Sequence, residues 1–238
     1  MKKTGTAVLL VSGGLDSAAN LALAPAIGFH AGVGLTVDYG QRSAAREIAC
    51  ARALCARFKI EHVTCDLRGF SKLVSGKSAL LEDSAALPSP ADLDALSVIE
   101  KSARAVWVPN RNGVLLSLGA ALAEARGFDA VLVGFNAEEA VTFADNTPAY
   151  MDAMTGSLRF STANGVEIAS ATAALTKEEI VRKLTADFPF ELLWSCYRGG
   201  EKHCGECESC LRLRRALARG LGPSASEAIR ARIFGWPS

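Results

Sequence analysis

No uninterrupted apolar stretch approaches about 18 residues, so nothing in the chain reads as a membrane-spanning helix. Net charge is nearly absent too, +1 from 26 basic and 25 acidic residues, which removes any global electrostatic case for binding nucleic acid or a membrane surface. Met1-Lys2-Lys3 runs into a strand-like segment carrying a glycine loop rather than into a cleavable signal peptide, so the expected compartment is the cytoplasm. In that reducing setting seven cysteines point to metal ligation or buried thiols, not disulfides. There is no internal repeat.

Three familiar loop fingerprints are missing as well. Gly76-Lys77-Ser78 has Ser71 where a Walker A loop needs glycine, and Gly32-Val33-Gly34 has Val37 where a dinucleotide loop needs its third glycine. A nucleophile elbow at Ser12 would need glycine at the position held by Leu10.

What is present is a chain of 238 residues, 50% hydrophobic, long enough to bury one sizeable core with a small appendage. Near its start an apolar run from Thr6 to Val11 feeds Ser12-Gly13-Gly14-Leu15-Asp16-Ser17. Gly13 and Gly14 let the backbone approach an anion closely, and the helix that follows aims unpaired N–H groups and its positive dipole end at the same point. Ser12 and Ser17 add hydroxyl donors. Asp16 would repel a bare phosphate, which suits a carboxylate holding magnesium against nucleotide oxygens. The competing reading is an ordinary strand-to-helix turn, since Ser, Gly and Asp are common turn residues.

Beyond that loop the pattern alternates. Leu15 to Leu23 reads as a helix, Ala31 to Val37 as a strand, Arg42 to Phe58 as a helix and Ile60 to Cys65 as a strand. Val106 to Val108 reads as extended, Gly113 to Arg126 as a helix and Ala130 to Val133 as a buried strand. Helices near Pro148 to Met154 and over Lys177 to Thr185, with a strand near Glu167 to Ala169, complete an α/β body. Such alternation predicts a parallel sheet with helices on both faces and ligands beyond the carboxyl ends of its strands. The pattern weakens from about 70 to 105, where Pro88 and Pro90 break it; this is either an insertion covering the active-site mouth or a plain surface excursion.

A second signal is Cys196-x7-Cys204-x2-Cys207-x2-Cys210. Four closely spaced thiolates match tetrahedral zinc, and a metal would supply folding energy to a segment poor in helix and strand formers. An iron–sulfur cluster is the rival. His203 either replaces one cysteine or, with Lys202, Arg198 and Arg212, offsets the thiolate charge. Cys50, Cys55 and Cys65 read as small buried hydrophobes. Six arginines (Arg212, Arg214, Arg215, Arg219, Arg230, Arg232) against Glu227 after Leu211 fit a solvated helix face packed on the cysteine loop, or a nucleic-acid patch.

The loop at Ser12 resembles the SGGxDS signature of the ATP-pyrophosphatases, which adenylate a carboxylate or carbonyl oxygen. Nearly the whole chain is similar to the queuosine-pathway branch of that superfamily, the 7-cyano-7-deazaguanine synthases. The similarity runs through Asp38-Tyr39-Gly40-Gln41-Arg42, Val108-Pro109-Asn110-Arg111-Asn112, Gly134-Phe135-Asn136, Lys177, Ser195-Cys196-Tyr197 and the three later cysteines. One segment departs: where the family reads Gly-Tyr-Pro-Asp-Cys-Arg, this chain has Thr142-Phe143-Ala144-Asp145-Asn146-Thr147.

The resemblance implies a Rossmann-like fold of the adenine nucleotide alpha hydrolase type over 1–190 and a zinc-binding module over 191–238, with ATP, Mg2+ and Zn2+ as cofactors. It implies conversion of 7-carboxy-7-deazaguanine and ammonia to the nitrile, and a homodimer with no membrane or direct nucleic-acid partner. Nucleotide contacts are expected along Val11, Ser12, Gly13, Gly14, Leu15, Asp16, Ser17, Ala18, Ala19, Asn20 and Leu21 and at Gly134. Asp16, Ser17, Lys177 and Arg111 are the expected catalytic residues, Gln41, Arg42 and Asp145 line the deazapurine site, and Cys196, Cys204, Cys207 and Cys210 hold the metal. The alternatives are another ATP-pyrophosphatase, whether tRNA-thiolating, amide-forming or coupling a deazaguanine to another amine, and a zinc-stabilised RNA-binding module.

Overall fold

The computed structural model describes residues 4–74, 78–81, 86–88, 93, 96–185 and 187–234. Among the described residues five parallel strands form one sheet: β1 (Gly5–Leu10), β2 (Phe29–Asp38), β3 (Glu61–Asp66), β4 (Ala130–Leu132) and β5 (Glu167–Ala169), in the order β3-β2-β1-β4-β5. Strand order reverses between β1 and β4, and in open parallel sheets ligands bind in the crevice that this reversal opens at the carboxyl ends. That crevice is flanked by the loops after Leu10 and after Leu132.

The connections are α1 (Leu15–Leu23), α2 (Ala44–Arg57), α3 (Gly69–Leu73), α4 (Leu96–Val106), α5 (Arg111–Ala125), α6 (Ala137–Ala140), α7 (Pro148–Ser161), α8 (Lys177–Lys183), α9 (Glu208–Gly220) and α10 (Pro223–Phe234). Alternation along β1 sends its side chains to two cores. Ala7, Leu9 and Val11 meet Ala51 and Cys55 of α2 on one face, while Val8 meets Leu116, Ala120 and Ala123 of α5 and Met151 and Leu158 of α7 on the other. A third cluster joins Leu15, Ala18 and Ala19 of α1 to Ile180 and Val181 of α8, to Leu213 and Leu217 of α9, and to Cys196, Cys207 and Cys210.

Two expectations change. Val106 ends helix α4 instead of opening a strand; three residues are too short a run for periodicity to decide, and Val106 and Val108 are buried with Tyr39 and Leu80. The helix at Pro148 continues to Ser161, since Met151 and Leu158 hold one buried face past Met154. The segment 70–105 lies partly outside the described residues.

Candidate active site

After β1 the chain turns through Gly13 at φ 83°, a conformation open to glycine, and a side chain there would also press on Cys50 of α2. Helix α1 then makes its first backbone bond from Ala18 N–H to the Gly14 carbonyl, so the amides of Leu15, Asp16 and Ser17 have no carbonyl in the preceding turn. Ser17 Oγ donates to the Gly14 carbonyl at 3.1 Å, and Gly14 N–H donates to Ser12 Oγ at 3.3 Å. The loop is thus shaped before any anion arrives, with Ser12 exposed to the crevice. Gly134 abuts it from β4: a Cβ there would stand 2.4 Å from Ser17 N, so only glycine permits this approach.

The loop opens on a cavity of about 290 Å³ lined by Val11, Ser12, Gly14, Leu15, Asp16, Ser17 and Gly134, with Thr36, Val37, Tyr39, Glu47, Arg111 and Lys177. A second cavity of about 130 Å³ is lined by Trp107, Phe143, Asp145, Glu138, Glu208 and Arg212. Arg111, Glu139, Asn146, Lys177 and Tyr197 line both, so the two spaces meet at a charged junction. From the weakly patterned segment, Leu80 also lines both cavities.

At that junction Lys177 Nζ donates to Asp16 Oδ2 and, at 2.9 Å, to Glu139 Oε1. Burial alone would lower the Lys177 pKa, but the Asp16 and Glu139 carboxylates outweigh it and hold the ammonium well above its ordinary value. Burial raises Asp16 to about 6 against the opposing pull of Lys177. Among the described residues Asp16 Oδ1 is buried without a hydrogen-bond partner, an arrangement that suits a carboxylate oxygen reserved for a cation. Arg111 lies 6.0 Å from the centre of the Tyr39 ring.

The expected nucleotide residues separate by helix geometry. Ala18 and Ala19 are fully buried in the core, and Leu21 packs against it, so none of the three lines either cavity. Asn20 acts as a brace: its Nδ2 donates to the Asp16 and Val133 carbonyls, and its Oδ1 accepts from Ala171 N–H. Gln41 lines the larger cavity, but its Nε2 donates to the Val37 carbonyl and to Glu47 Oε2 and its Oε1 accepts from Tyr39 N–H. Arg42 lines neither cavity; its guanidinium reaches toward the Ala79 carbonyl. Asp145 faces the second cavity, accepts from Asn146 Nδ2 at 3.1 Å, and has its pKa raised by burial. Thr147 caps α7, accepting from Tyr150 N–H.

Sequence reasoning left Glu47, Glu138, Glu139 and Tyr197 without roles. Glu138 and Glu139 stand directly after Gly134-Phe135-Asn136 in the first turn of α6, capped by Asn136, and that adjacency was the available signal. Glu47 lies one helical turn into α2, accepting from Ser43 Oγ at 2.5 Å; burial raises its pKa.

The four cysteines converge, with their sulfurs all within 4.8 Å of one another and Cys204 Sγ 4.0 Å from Cys210 Sγ. Amide N–H groups of Cys204 and Cys207 point at Cys196 Sγ and Cys204 Sγ, donors that suit thiolates. The group can hold a metal ion. His203 is not part of it: its Nε2 accepts from Ser195 N–H, and its ring lies between Trp194 and Phe234.

A glycine loop and helix N-terminus at the reversal of a parallel sheet, faced by a buried lysine, define a Rossmann-like α/β enzyme of the ATP-pyrophosphatase type. The profile of the family described as "Queuosine biosynthesis protein QueC" matches residues 6–220, and the chain belongs to that family. It is 45% identical over 212 residues to the 7-cyano-7-deazaguanine synthase of Pelotomaculum thermopropionicum, covering 88% of this chain and 95% of that one. The 7-cyano-7-deazaguanine synthase of Methanosarcina barkeri is 45% identical over 217 residues, covering 89% and 93%. Among solved structures, the U34-tRNA thiolase NcsA from Methanococcus maripaludis with its [4Fe-4S] cluster aligns with TM-score 0.47 and 14% identity over 97% of this chain and 72% of that one. A likeness that weak carries nothing about activity or cofactor.

Proposed function

We propose that this chain converts 7-carboxy-7-deazaguanine and ammonia to 7-cyano-7-deazaguanine at the expense of ATP. A carboxylate resists attack because its leaving group would be oxide. The carboxylate oxygen attacks the α-phosphorus of ATP, releasing pyrophosphate and giving an acyl adenylate; ammonia displaces AMP to give the amide and a proton; the amide oxygen then attacks a second ATP, again releasing pyrophosphate, and departs as AMP while the N–H proton is lost and the nitrile forms.

Ser12, Gly13, Gly14 and Ser17 hold the pyrophosphate end of ATP through backbone and hydroxyl donors. Lys177 and Arg111, at the junction of the cavities, neutralise charge developing between the α-phosphate and the acyl oxygen. Asp16 would hold Mg2+, which supplies charge neutralisation on the phosphate oxygens. In the smaller cavity Asp145 accepts from the adjacent N–H donors of the deazapurine edge, with Asn146 beside it. Gln41 serves indirectly, holding Glu47 in the cavity wall.

For the metal we propose zinc in a structural role. A tetrahedron of Zn–S bonds near 2.3 Å has sulfur–sulfur edges of about 3.8 Å, compatible with the observed spacing. Thiolates of an iron–sulfur cube bind different irons and splay outward. The segment 191–238 then acts as the zinc-bearing module. No cysteine lines either cavity, which favours this reading over thiolation by a catalytic cysteine.

The observation that carries the proposal is the meeting of the phosphate loop's cavity with a smaller, carboxylate-bearing one at Lys177 and Arg111. Incubating purified protein with ATP, Mg2+, ammonium and the carboxy-deazapurine should yield the nitrile by mass analysis, with the amide seen at early times. Formation of neither product rejects it.

A further inference from the structure

We propose that Glu138 is a positioning residue through which the cysteine-bearing helix α9 sets the place of Lys177. The inference rests on the reading of Lys177 as a group of the ATP site. Glu138 Oε1 accepts from the backbone N–H of Lys177 at 2.9 Å, satisfying an amide that helix α8 leaves unpaired in its first turn. Its other oxygen lies 3.7 Å from Arg212 and 3.6 Å from Arg215, both on α9.

Helix α9 starts at the cysteine cluster: Cys207 is its N-cap and Cys210 lies in its first turn. Arg212 is fixed there by Glu208, at 2.8 Å. These side chains are 10–23% exposed, so the network is largely shielded from water and stronger than a surface ion pair. Helices α8 and α9 also pack directly, with Ile180 and Val181 in one cluster with Leu213 and Leu217.

Glu138 thus ties the main chain of Lys177 to α9, while Asp16 and Glu139 hold its ammonium. The Thr176–Glu179 capping box already fixes the start of α8. A purely stabilising Glu138 would therefore add little to that box and would leave kcat unmoved in a folded variant.

Glu138→Gln keeps an acceptor for the Lys177 amide but cuts the charge pairing to α9, and Arg215→Gln weakens the same link from the other side. Each should lower kcat about fivefold with KM for ATP within about twofold, since small misplacements of a charged group act on the transition state. Each should speed hydrogen exchange of the Lys177 amide about tenfold, while exchange at Glu179 stays within about twofold. The double variant should be no worse than the poorer single one.

Wild-type exchange and kcat in a folded Arg215→Gln, or effects on kcat that multiply, would overturn the proposal. If Glu138→Gln does not fold, Arg215→Gln decides alone. The exchange readout needs no substrate. A wild-type protein that makes no nitrile but whose Lys177 amide responds loses only the functional reading; nitrile formation without that response loses only this one.

Discussion

Lys177 and Asp16, 161 residues apart in sequence, form an ion pair whose second carboxylate oxygen, Asp16 Oδ1, is buried and unpartnered among the described residues. The lysine is therefore anchored at the phosphate loop and shared with Glu139. Lys177→Ala should lower kcat by about 10²–10³, the usual cost of removing one preorganised donor to developing charge. Turnover under saturating ATP tests this; a loss below about threefold would remove Lys177 from the transition state.

Burial pushes the Asp16 carboxyl up to about 6, so its ionised form, the one proposed to hold magnesium, declines below that pH. Affinity for magnesium nucleotide should fall about tenfold per pH unit below pH 6, by calorimetry. Lys177 lowers the Asp16 value, so Lys177→Met should move this limb to higher pH.

Gly134→Ala places a methyl group 2.4 Å from the Ser17 amide nitrogen. The loop or β4 must yield, at a cost of about 1–3 kcal/mol for overpacking. ATP affinity should fall at least about tenfold, more than thermal stability alone would explain.

Asp145→Ala should raise KM for the deazapurine acid by about tenfold or more, leaving KM for ATP within about twofold. Initial rates with each substrate varied in turn provide the check.

Cys210→Ser should abolish stoichiometric metal and lower the unfolding midpoint by about 10 °C or more, because Cys210 joins the ligand set to the core around Leu15 and Leu213. Elemental analysis of the wild type should return about one zinc per chain.

Much of the fold was legible because local signals agreed. The apolar run, glycine turn and helix at Thr6–Leu23 each pointed to the same strand–loop–helix unit, and Glu167–Ala169 appears as a strand where the pattern put it. Val106–Val108 misled because three residues carry no period. Ala18, Ala19 and Leu21 stand apart from the cavity lining for a different reason: they adjoin the loop in sequence, but 3.6 residues per turn swing their side chains into the core. Gln41 is polar and near the cavity, and only the three-dimensional arrangement reveals that its amide is spent on Glu47, Val37 and Tyr39. For Glu138 and Glu139 the sequence offers only their adjacency to Gly134-Phe135-Asn136, because their partners, Lys177, Arg212 and Arg215, are far away along the chain.

The amide of Trp194 donates to the carbonyl of Gly13 at 2.9 Å, so the turn after β1 is closed by a segment that is synthesised well after it. A nascent chain still short of that tryptophan carries the nucleotide loop without its clasp. The shape of that turn therefore depends on residues made long after it.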